Sequence, residues 1–355
     1  MKKGKAMLKE FCRAQKLRAV ARYYTLHSML GNPCPFYIII GGRKTGKSYS
    51  VAEFLCRHQQ DKNYWMRISD TSVKAMLANN CKGMIDPDLI RKYSMDLKAK
   101  GGMYVENHGK EFVTVAPLSS FGKLKGVGFY DKDYDGFYNL VLDEFQLEQG
   151  EKRTSFDILY NFIGMCENMV RTTKGKVRVF LLGNTLEEAS TILKAFNFLP
   201  ERFGRFYIHK FNKYTKRREL VAVLDNLEPT EEYLADRYGS IADILGGDRM
   251  SNYTNELKRD TELIFKGRRI KPTAIIKFTK QESDWYTMWD DGVICTYKGE
   301  KIATTYAMRP YINETFIKQN KQMIIDLYDA RALKFKDLVT QSYFQDDLTK
   351  IRKSA

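Results

Sequence analysis

A glycine-rich segment between two apolar stretches carries the residue types needed to bind phosphate. Residues 41–48 read GGRKTGKS, after the apolar run 36–40 and before a helical pattern. Glycines let the backbone curl so that N–H groups face phosphate oxygens, and the helix that follows adds the positive end of its dipole. Lys47 is placed to reach the β- and γ-phosphates of a nucleotide, and the Ser48 hydroxyl to ligate Mg²⁺. The predicted loop consists of Gly41, Gly42, Arg43, Lys44, Thr45, Gly46, Lys47 and Ser48.

Two adjacent acids end a second apolar run, in the sequence NLVLDEF at 139–145. Asp143 is predicted to hold Mg²⁺ through water, and Glu144 to orient and polarise the attacking water. A kinase needs no glutamate beside its metal-binding aspartate, whereas ATPases that drive movement usually carry one. The pair therefore favours hydrolysis of a nucleoside triphosphate over phosphate transfer.

Three further side chains could act on the γ-phosphate. Asn184 ends the apolar run 177–184 and could lie beside that phosphate, although a strand-capping role fits its position equally well. Arg43, inside the loop, could stabilise the transition state within its own subunit or project into solvent. Arg171 follows an amphipathic helix and could reach a neighbouring subunit, but the local pattern favours a charge that offsets the helix dipole.

These residues are placed by an alternation of apolar runs and helical periodicity, which predicts an α/β domain with a mostly parallel sheet. The runs are nearly all apolar, as in a sheet covered on both faces. Predicted strands span 36–40, 64–69, 112–117, 139–144 and 177–184. The clearest helix, at 154–170, is predicted to bury one stripe: Phe156, Leu159, Tyr160, Ile163, Cys166 and Val170.

The chain of 355 residues is predicted to contain four segments. A basic helical segment at 1–34 precedes the α/β domain at 35–212. Residues 213–260 begin with a charge run and are predicted to form a short helical linker or lid. Strand-like runs followed by helical ones predict a small α+β domain at 261–355.

The charge balance points to a polyanionic partner. Lysine and arginine number 59 against 43 acids, a formal charge of +16, which favours nucleic acid before an anionic membrane surface. A soluble basic protein without such a partner is the alternative. Loops around the acidic pair could touch DNA phosphates or simply be solvated. Their basic residues are Lys123, Lys125, Lys152 and Arg153.

Cysteine and histidine usage excludes several other classes of chemistry. The six cysteines and four histidines are scattered, so neither a zinc site nor a disulfide framework is predicted, and the thiols are expected to be reduced in a cytoplasmic protein. No stretch has the length of a membrane span, and the basic start lacks the apolar core of a signal peptide.

Several stretches together resemble a known family. They are IGGRKTGKS, VAPLS, LVLDEF, VRVFLLGN, RYGSIADIL and LYDARALKFKDLV, and the likeness covers most of the chain from about Phe36. They are similar to the genome-packaging ATPases of small podoviruses that replicate by protein priming (Picovirinae type), relatives of the terminase large subunit.

The resemblance implies a P-loop NTPase of the ASCE/RecA-like class that uses ATP and Mg²⁺. It implies a homo-oligomeric, pentameric ring docked on the portal, or connector, of a procapsid and pushing double-stranded DNA inward. Such a protein would act in the cytoplasm of the infected host cell, transiently at the portal vertex, and be absent from the mature virion. Arg171 falls where the family has an arginine finger that acts across subunits.

For the C-terminal domain, the resemblance implies a degenerate nuclease of RNase H-like type. A two-metal nuclease needs clustered carboxylates. The run AIIKF at 274–278 has no acid, and Asp290 and Asp291 lie together on a later run, so no DNA cleavage is expected. Family members bind a structural RNA or the portal with this domain. Basic residues available for that contact are Lys266, Arg268, Arg269 and Lys271.

Two other functions remain compatible with the same motifs. One is a helicase or loader ATPase built on the same core. The other is a nucleic-acid-binding protein that nucleotide only switches, without sustained turnover. Glu144 speaks against the second, because a switch needs no residue that activates water.

Overall fold

The computed structural model describes residues 23–42, 45–124, 133–145, 157–170, 176–184, 190–228, 244, 261–267, 272–277, 285–289, 293–297 and 314–353. The chain divides into two compact units. The first comprises residues 1–192 and 202–258, and the second 193–201 and 259–355.

The first unit is built on a sheet that has nine strands within the described residues. Their order across the sheet is β3-β4-β5-β2-β6-β7-β1-β9-β8. The six strands β5, β2, β6, β7, β1 and β9 are parallel to one another. The pairings of β3 with β4, of β4 with β5 and of β8 with β9 are antiparallel. The prediction of an α/β domain with a mostly parallel sheet is therefore confirmed. The strands are β1 (Phe36–Ile40), β2 (Lys62–Arg67), β3 (Leu97–Lys100), β4 (Tyr104–Asn107), β5 (Lys110–Pro117), β6 (Tyr138–Asp143), β7 (Val177–Gly183), β8 (Gly204–Asn212) and β9 (Arg217–Asn226).

Helices pack against this sheet and bury the all-apolar strands. Ile38, Ile39 and Ile40 of β1 are fully buried, as expected for a strand with neighbours on both edges and cover on both faces. Local signals set the helix starts, since the Ser69 hydroxyl accepts a bond from the N–H of Ser72 at the first turn of α3. The helices of the first unit are α1 (His27–Leu30), α2 (Lys47–Arg57), α3 (Asp70–Cys81), α4 (Pro87–Lys92), α5 (Phe121–Leu124) and α6 (Ile158–Val170). The next helix in the chain is α7 (Thr191–Ala195), whose last three residues belong to the second unit.

The predicted end of the α/β domain at residue 212 is corrected by the structure. That position is the last of β8, and β9 follows in the same sheet, parallel to β1 with Ile40 opposite Asn226. The charge run that joins β8 and β9 forms the turn of a hairpin. Because these residues are charged, the sequence pattern did not reveal the apolar strand that follows them. Of the predicted linker beyond β9, residues 229–243 and 245–260 lie outside the described residues.

The buried face of α6 also differs from the predicted stripe. Tyr160 and Ile163 are 62% and 50% exposed, whereas Phe162 and Met165 are buried. The helix is apolar on more than one side, so periodicity alone does not select the face that packs. Phe121 packs on a different side of the helix from Phe162 and Met165: it contacts the ring of the exposed Tyr160, and a Cβ at Gly164 would lie only 2.1 Å from its ring. Phe156 of the predicted stripe lies outside the described residues.

The second unit is α+β, with a sheet of four strands within its described residues. The order is β10-β11-β12-β13, antiparallel except for the parallel pair β12 and β13. Its core gathers Tyr286, Phe335 and Phe344, and the Tyr286 hydroxyl donates to Asp347 at 2.8 Å. The elements are β10 (Pro272–Lys277), β11 (Trp285–Trp289), β12 (Val293–Tyr297), α8 (Glu314–Asp329), β13 (Lys334–Phe335) and α9 (Leu338–Lys353).

The assignment of this unit to a degenerate RNase H-like nuclease stays a prediction. Asp290 and Asp291, on which the expectation of no cleavage partly depends, lie outside the described residues. Among the helices that the structure describes, none combines the length and the apolar character needed to cross a membrane.

Candidate nucleotide-binding site

The predicted site residues meet at the edge where the parallel strands have their carboxyl ends. β1 ends at Ile40 directly before the glycine-rich loop, β6 ends at Asp143, and β2 ends at Arg67. β7 lies between β1 and β6, so one strand separates the loop from the acidic pair. Open parallel sheets bind ligands in the crevice outside these strand ends.

Lys47 is the buried cation of the loop. It is the first residue of α2, and its Nζ donates to the carbonyl oxygens of Gly41 and Gly42, both at 2.7 Å. It also contacts the hydroxyl of Thr45 at 3.3 Å. These contacts with neutral oxygens hold the ammonium in place inside the loop. A fixed positive charge inside a glycine-rich turn is suited to bind the phosphates of a nucleotide.

Two glycines of the loop are required by its geometry. Gly46 has φ +91°, a left-handed conformation that side chains disfavour, and a Cβ there would lie 3.0 Å from Cβ of Tyr23. A Cβ at Gly41 would lie 2.9 Å from the side chain of Leu227. Glycine is therefore required at Gly41 by the limited space beside Leu227, and at Gly46 by the left-handed backbone conformation.

The predicted metal-binding pair is brought together. The Ser48 hydroxyl donates to Oδ1 of Asp143 at 3.3 Å, across 95 positions of sequence. Glu144 follows with φ +57°, a left-handed conformation rare outside glycine that often marks functional sites. The turn separates the adjacent acids, because the Asp143 side chain is 5% exposed and that of Glu144 is 48% exposed.

Arg67 was not among the residues that the sequence predicted. Its Nη2 lies 2.8 Å from Oδ2 of Asp143, and its Nη1 pairs with Oε2 of Glu144. One guanidinium therefore bridges both carboxylates. The only sequence signal was an arginine near the end of the run YWMRIS. Its role depends on the pairing of β2 with β6, in which Met66 lies opposite Leu142.

Asn184 lies at the same edge of the sheet as the loop. It follows β7 directly, and the N–H of Gly41 donates to the carbonyl of the preceding Gly183 at 3.2 Å. This places its backbone beside the first glycine of the loop. Its predicted contact with the γ-phosphate stays a prediction.

The other predicted residues are placed elsewhere or not described. Lys123 is exposed on α5 and lines a surface cleft of about 460 Å³ together with Asp70 and Lys74. Lys266 is exposed in the second unit. The remaining predicted residues outside the described part are Arg43, Lys44, Lys125, Lys152, Arg153, Arg171, Arg268, Arg269 and Lys271.

Residues 23–30, predicted as part of a separate N-terminal segment, instead pack on the loop. The N–H of Tyr24 donates to the carbonyl of Thr45 at 2.9 Å, and that of Leu26 to the Ser50 hydroxyl at 2.8 Å. Leu26 and Met29 belong to the core of the first unit. Residues 1–22 lie outside the described part. The predicted boundary at residue 34 therefore cuts through the α/β unit.

A buried ion pair fixes this segment. Both oxygens of Asp225 accept bonds from Arg205, each at 2.7 Å, and Oδ2 also accepts from the Tyr24 hydroxyl at 2.8 Å. Arg205 further donates to the carbonyl of Ser28 at 2.9 Å. Burial, reinforced by the charge of Asp225, raises the pKa of Tyr24 well above its ordinary value. The hydroxyl therefore stays a hydrogen-bond donor at neutral pH.

Comparison with known proteins finds matches by structure but none by sequence. No family model matches the chain, and no curated protein matches it. Its structure is similar to that of the phi28 gp11 DNA packaging motor, at 15% identity and a TM-score of 0.58, over 92% of this chain and 98% of that one. It is also similar to the bacteriophage phi29 viral genome packaging motor assembly, at 16% identity and a TM-score of 0.60, over 94% and 100%.

The likeness is one of fold. A crystal structure of the N-terminal domain of the phi29 DNA packaging ATPase matches 59% of this chain and 99% of that one, at 18% identity and a TM-score of 0.45. The two neighbours with the higher TM-scores are components of phage DNA packaging motors. The resemblance to packaging proteins extends from short sequence stretches to a fold shared over most of the chain.

Proposed function

We propose that this protein is an ATP-hydrolysing motor that translocates double-stranded viral DNA into a procapsid. One observation carries the proposal: Lys47, Ser48, Asp143 and Glu144 converge at one edge of the parallel sheet. That convergence occurs in a chain whose fold is shared with components of two phage packaging motors.

The residues present fit a magnesium nucleotide. A hydroxyl and a carboxylate already in contact, from Ser48 and Asp143, are the hard oxygen donors that Mg²⁺ prefers. Lys47 and the N–H groups of the loop would hold the phosphates of ATP. Bound Mg²⁺ would supply positive charge against the phosphate oxygens.

Glu144 and Arg67 have complementary roles in this proposal. The carboxylate of Glu144 accepts a hydrogen bond from the attacking water and orients it. Arg67 holds that carboxylate and Asp143 together, so it sets where Glu144 rests. Asn184 at the neighbouring strand end would contact the γ-phosphate.

The proposed assembly is a homo-oligomeric ring of five subunits on the portal of a procapsid. Arg171 would reach the nucleotide of the adjacent subunit, and Arg43 would act within its own. The C-terminal unit would contact a structural RNA or the portal, without cutting DNA. The protein would work in the cytoplasm of the infected host cell and leave before the virion matures.

The test is steady-state phosphate release by the full chain with duplex DNA, with single-stranded DNA and without DNA, alongside DNA protection in portal-bearing procapsids. We expect sustained turnover that duplex DNA stimulates, and protected DNA only with ATP. The Lys47→Ala chain is the control for contaminating ATPase. Preferential stimulation by single strands would instead indicate a helicase or loader. A single turnover without further release would indicate a nucleotide switch.

Replacing Arg67 tests its positioning role. Arg67→Ala frees both carboxylates, and misplacing a catalytic group by about 1 Å can cost on the order of 10²-fold in rate. We expect turnover to fall by about 10²-fold while ATP affinity changes little. Arg67→Lys should fail similarly, because a single ammonium lacks the planar fork that bridges two carboxylates.

The matched control for Arg67 is Arg57→Ala. Arg57 is exposed on α2 and pairs with Glu53 at 2.8 Å, on the surface of the same unit. Such exposed pairs contribute little to stability, so the control should turn over ATP like the wild type. Wild-type turnover in Arg67→Lys would contradict the bridging role.

A further inference from the structure

The hairpin of β8 and β9 extends beyond the neighbouring strand β1. β1 pairs with β9 from Phe36 opposite Ala222 to Ile40 opposite Asn226. Five residues of β9, from Arg217 to Val221, therefore continue past the amino end of β1. At about 3.3 Å per residue they span roughly 16 Å. The glycine-rich loop follows the opposite, carboxyl end of β1, so this extension is remote from the nucleotide site.

Residues 209–219 of this hairpin form what we term the basic ribbon. All but Asn212 are exposed, and Asn212 is half-buried. They include five basic side chains: Lys210, Lys213, Lys216, Arg217 and Arg218. The single acid among them, Glu219, accepts hydrogen bonds from Asn212 at 2.8 Å and Thr215 at 2.6 Å. The ribbon therefore presents a concentrated positive charge.

Two aromatic side chains stand among these cations. Tyr214 at the tip is 97% exposed and Phe211 is 59% exposed. Phe211 lies opposite Arg218 in the antiparallel register, so the ring and the guanidinium share one face of the ribbon. Aromatic rings interleaved with arginine and lysine are the surface on which proteins stack bases and follow a phosphate backbone. A merely solvated charge run has no use for two exposed rings.

The tip of the ribbon is held in a defined conformation. Oδ1 of Asn212 accepts bonds from the N–H groups of Tyr214 at 2.9 Å and Thr215 at 3.3 Å. Glu219 closes the turn from the other strand. An ordered tip loses less conformational entropy on binding than a flexible loop does. The turn thus presents Tyr214 and its flanking lysines as a preformed contact surface.

We infer that the basic ribbon binds nucleic acid, with its cations on backbone phosphates and Tyr214 and Phe211 against bases or sugars. The contact reads no sequence, because phosphate and stacking contacts are common to all sequences. The inference goes beyond the proposed function, because the charge and the rings of the ribbon would bind nucleic acid whether or not the protein is a motor. The basic ribbon would be a nucleic-acid-binding surface at the end of the sheet opposite the nucleotide site. This surface is separate from the loops around Lys123.

The test compares full-length variants by anisotropy of labelled duplex DNA, single-stranded DNA and a structured RNA across a range of salt. The ribbon variant is Lys213→Gln with Lys216→Gln and Arg217→Gln. Its control removes the same charge from exposed residues of β3 and β5, by Lys98→Gln, Lys100→Gln and Lys110→Gln. We expect the ribbon variant to bind about tenfold or more weakly at low salt, with a salt slope reduced by up to about 0.9 for each lost phosphate contact. The control should change affinity by less than about twofold.

The aromatic part of the inference has its own variant. Tyr214→Ser leaves the charge intact at a side chain that packs against little of the protein, so folding should be unaffected. It should weaken binding of single-stranded DNA or RNA by at least about fivefold. Heparin, a polyanion without bases, should bind Tyr214→Ser as well as it binds the wild type. The nucleic acid whose affinity falls most in the ribbon variant identifies the partner as duplex DNA or RNA.

Three results would overturn the inference. The first is a ribbon variant that binds every nucleic acid as tightly as its control does. The second is a Tyr214→Ser chain whose affinity for every nucleic acid is unchanged. The third is a Tyr214→Ser chain whose affinity for heparin falls as much as its affinity for nucleic acid. DNA-free ATP turnover of the same variants separates this failure from failure of the proposed function. If the wild type turns over ATP but the ribbon variant binds nucleic acid like its control, only the inference about the ribbon is rejected. No turnover in the wild type, with a clear ribbon effect, rejects the motor and keeps the ribbon.

Discussion

Glu144→Gln is expected to bind ATP normally and to lose turnover by about 10²- to 10⁴-fold. The amide keeps the shape of the carboxylate but cannot accept a proton from water. Its neighbours Asp143 and Ser48 keep their contact, so the binding of the nucleotide should not change. Equilibrium binding of a fluorescent ATP analogue and steady-state phosphate release measure the two effects separately.

Two further variants are compared with Glu144→Gln, one expected to lose nucleotide binding and one expected to behave like the wild type. Lys47→Ala should weaken nucleotide binding itself, because it removes the cation that the loop carbonyls hold. Glu53→Gln is the matched control, since Glu53 lies on α2 and pairs with Arg57 and Lys92 away from the loop. It should turn over ATP at the wild-type rate. A near wild-type rate in Glu144→Gln would show that another residue activates water.

If the protein forms the proposed ring and Arg171 acts as an arginine finger, Arg171→Ala is expected to lower the ATPase activity of that ring by about 10³- to 10⁵-fold. The positive charge of a finger acts on the transition state in the adjacent subunit, so ATP affinity of a single subunit should stay nearly intact. In the sequence, Arg171 lies between the helix pattern and the run VRVFLLGN, where the resemblance to packaging ATPases implies a finger. ATP binding by the variant and turnover by its rings measure the two effects.

Mixed rings distinguish a finger acting across subunits from one acting within its own. Arg171→Ala and Glu144→Gln subunits are each inactive alone, but in a mixed ring an intact Arg171 can face an intact Glu144. Some activity should therefore return. Absence of recovery, in rings shown to have mixed, would return Arg171 to the role of a charge at a helix end.

The sequence by itself determined the parts of the site that are contiguous in the chain. The loop at 41–48 and the pair Asp143 and Glu144 are short patterns in which neighbouring residues share one task, so local order suffices to predict them. The apolar runs likewise predicted a mostly parallel sheet, because strands covered on both faces need apolar side chains at nearly every position. What remained open was which of these elements become neighbours.

Only the tertiary structure decided the contacts between distant segments. The bridge from Arg67 to both acids exists because β2 pairs with β6, and the ion pair of Arg205 with Asp225 because β8 pairs with β9. The buried face of α6 was decided by tertiary packing, which covers Phe162 and Met165 and leaves Tyr160 and Ile163 exposed. β9 was missed because its first residues are charged and pair only with β8, while its last five lie beside β1. Strand pairing joins residues by register and not by sequence distance, so no local pattern records it.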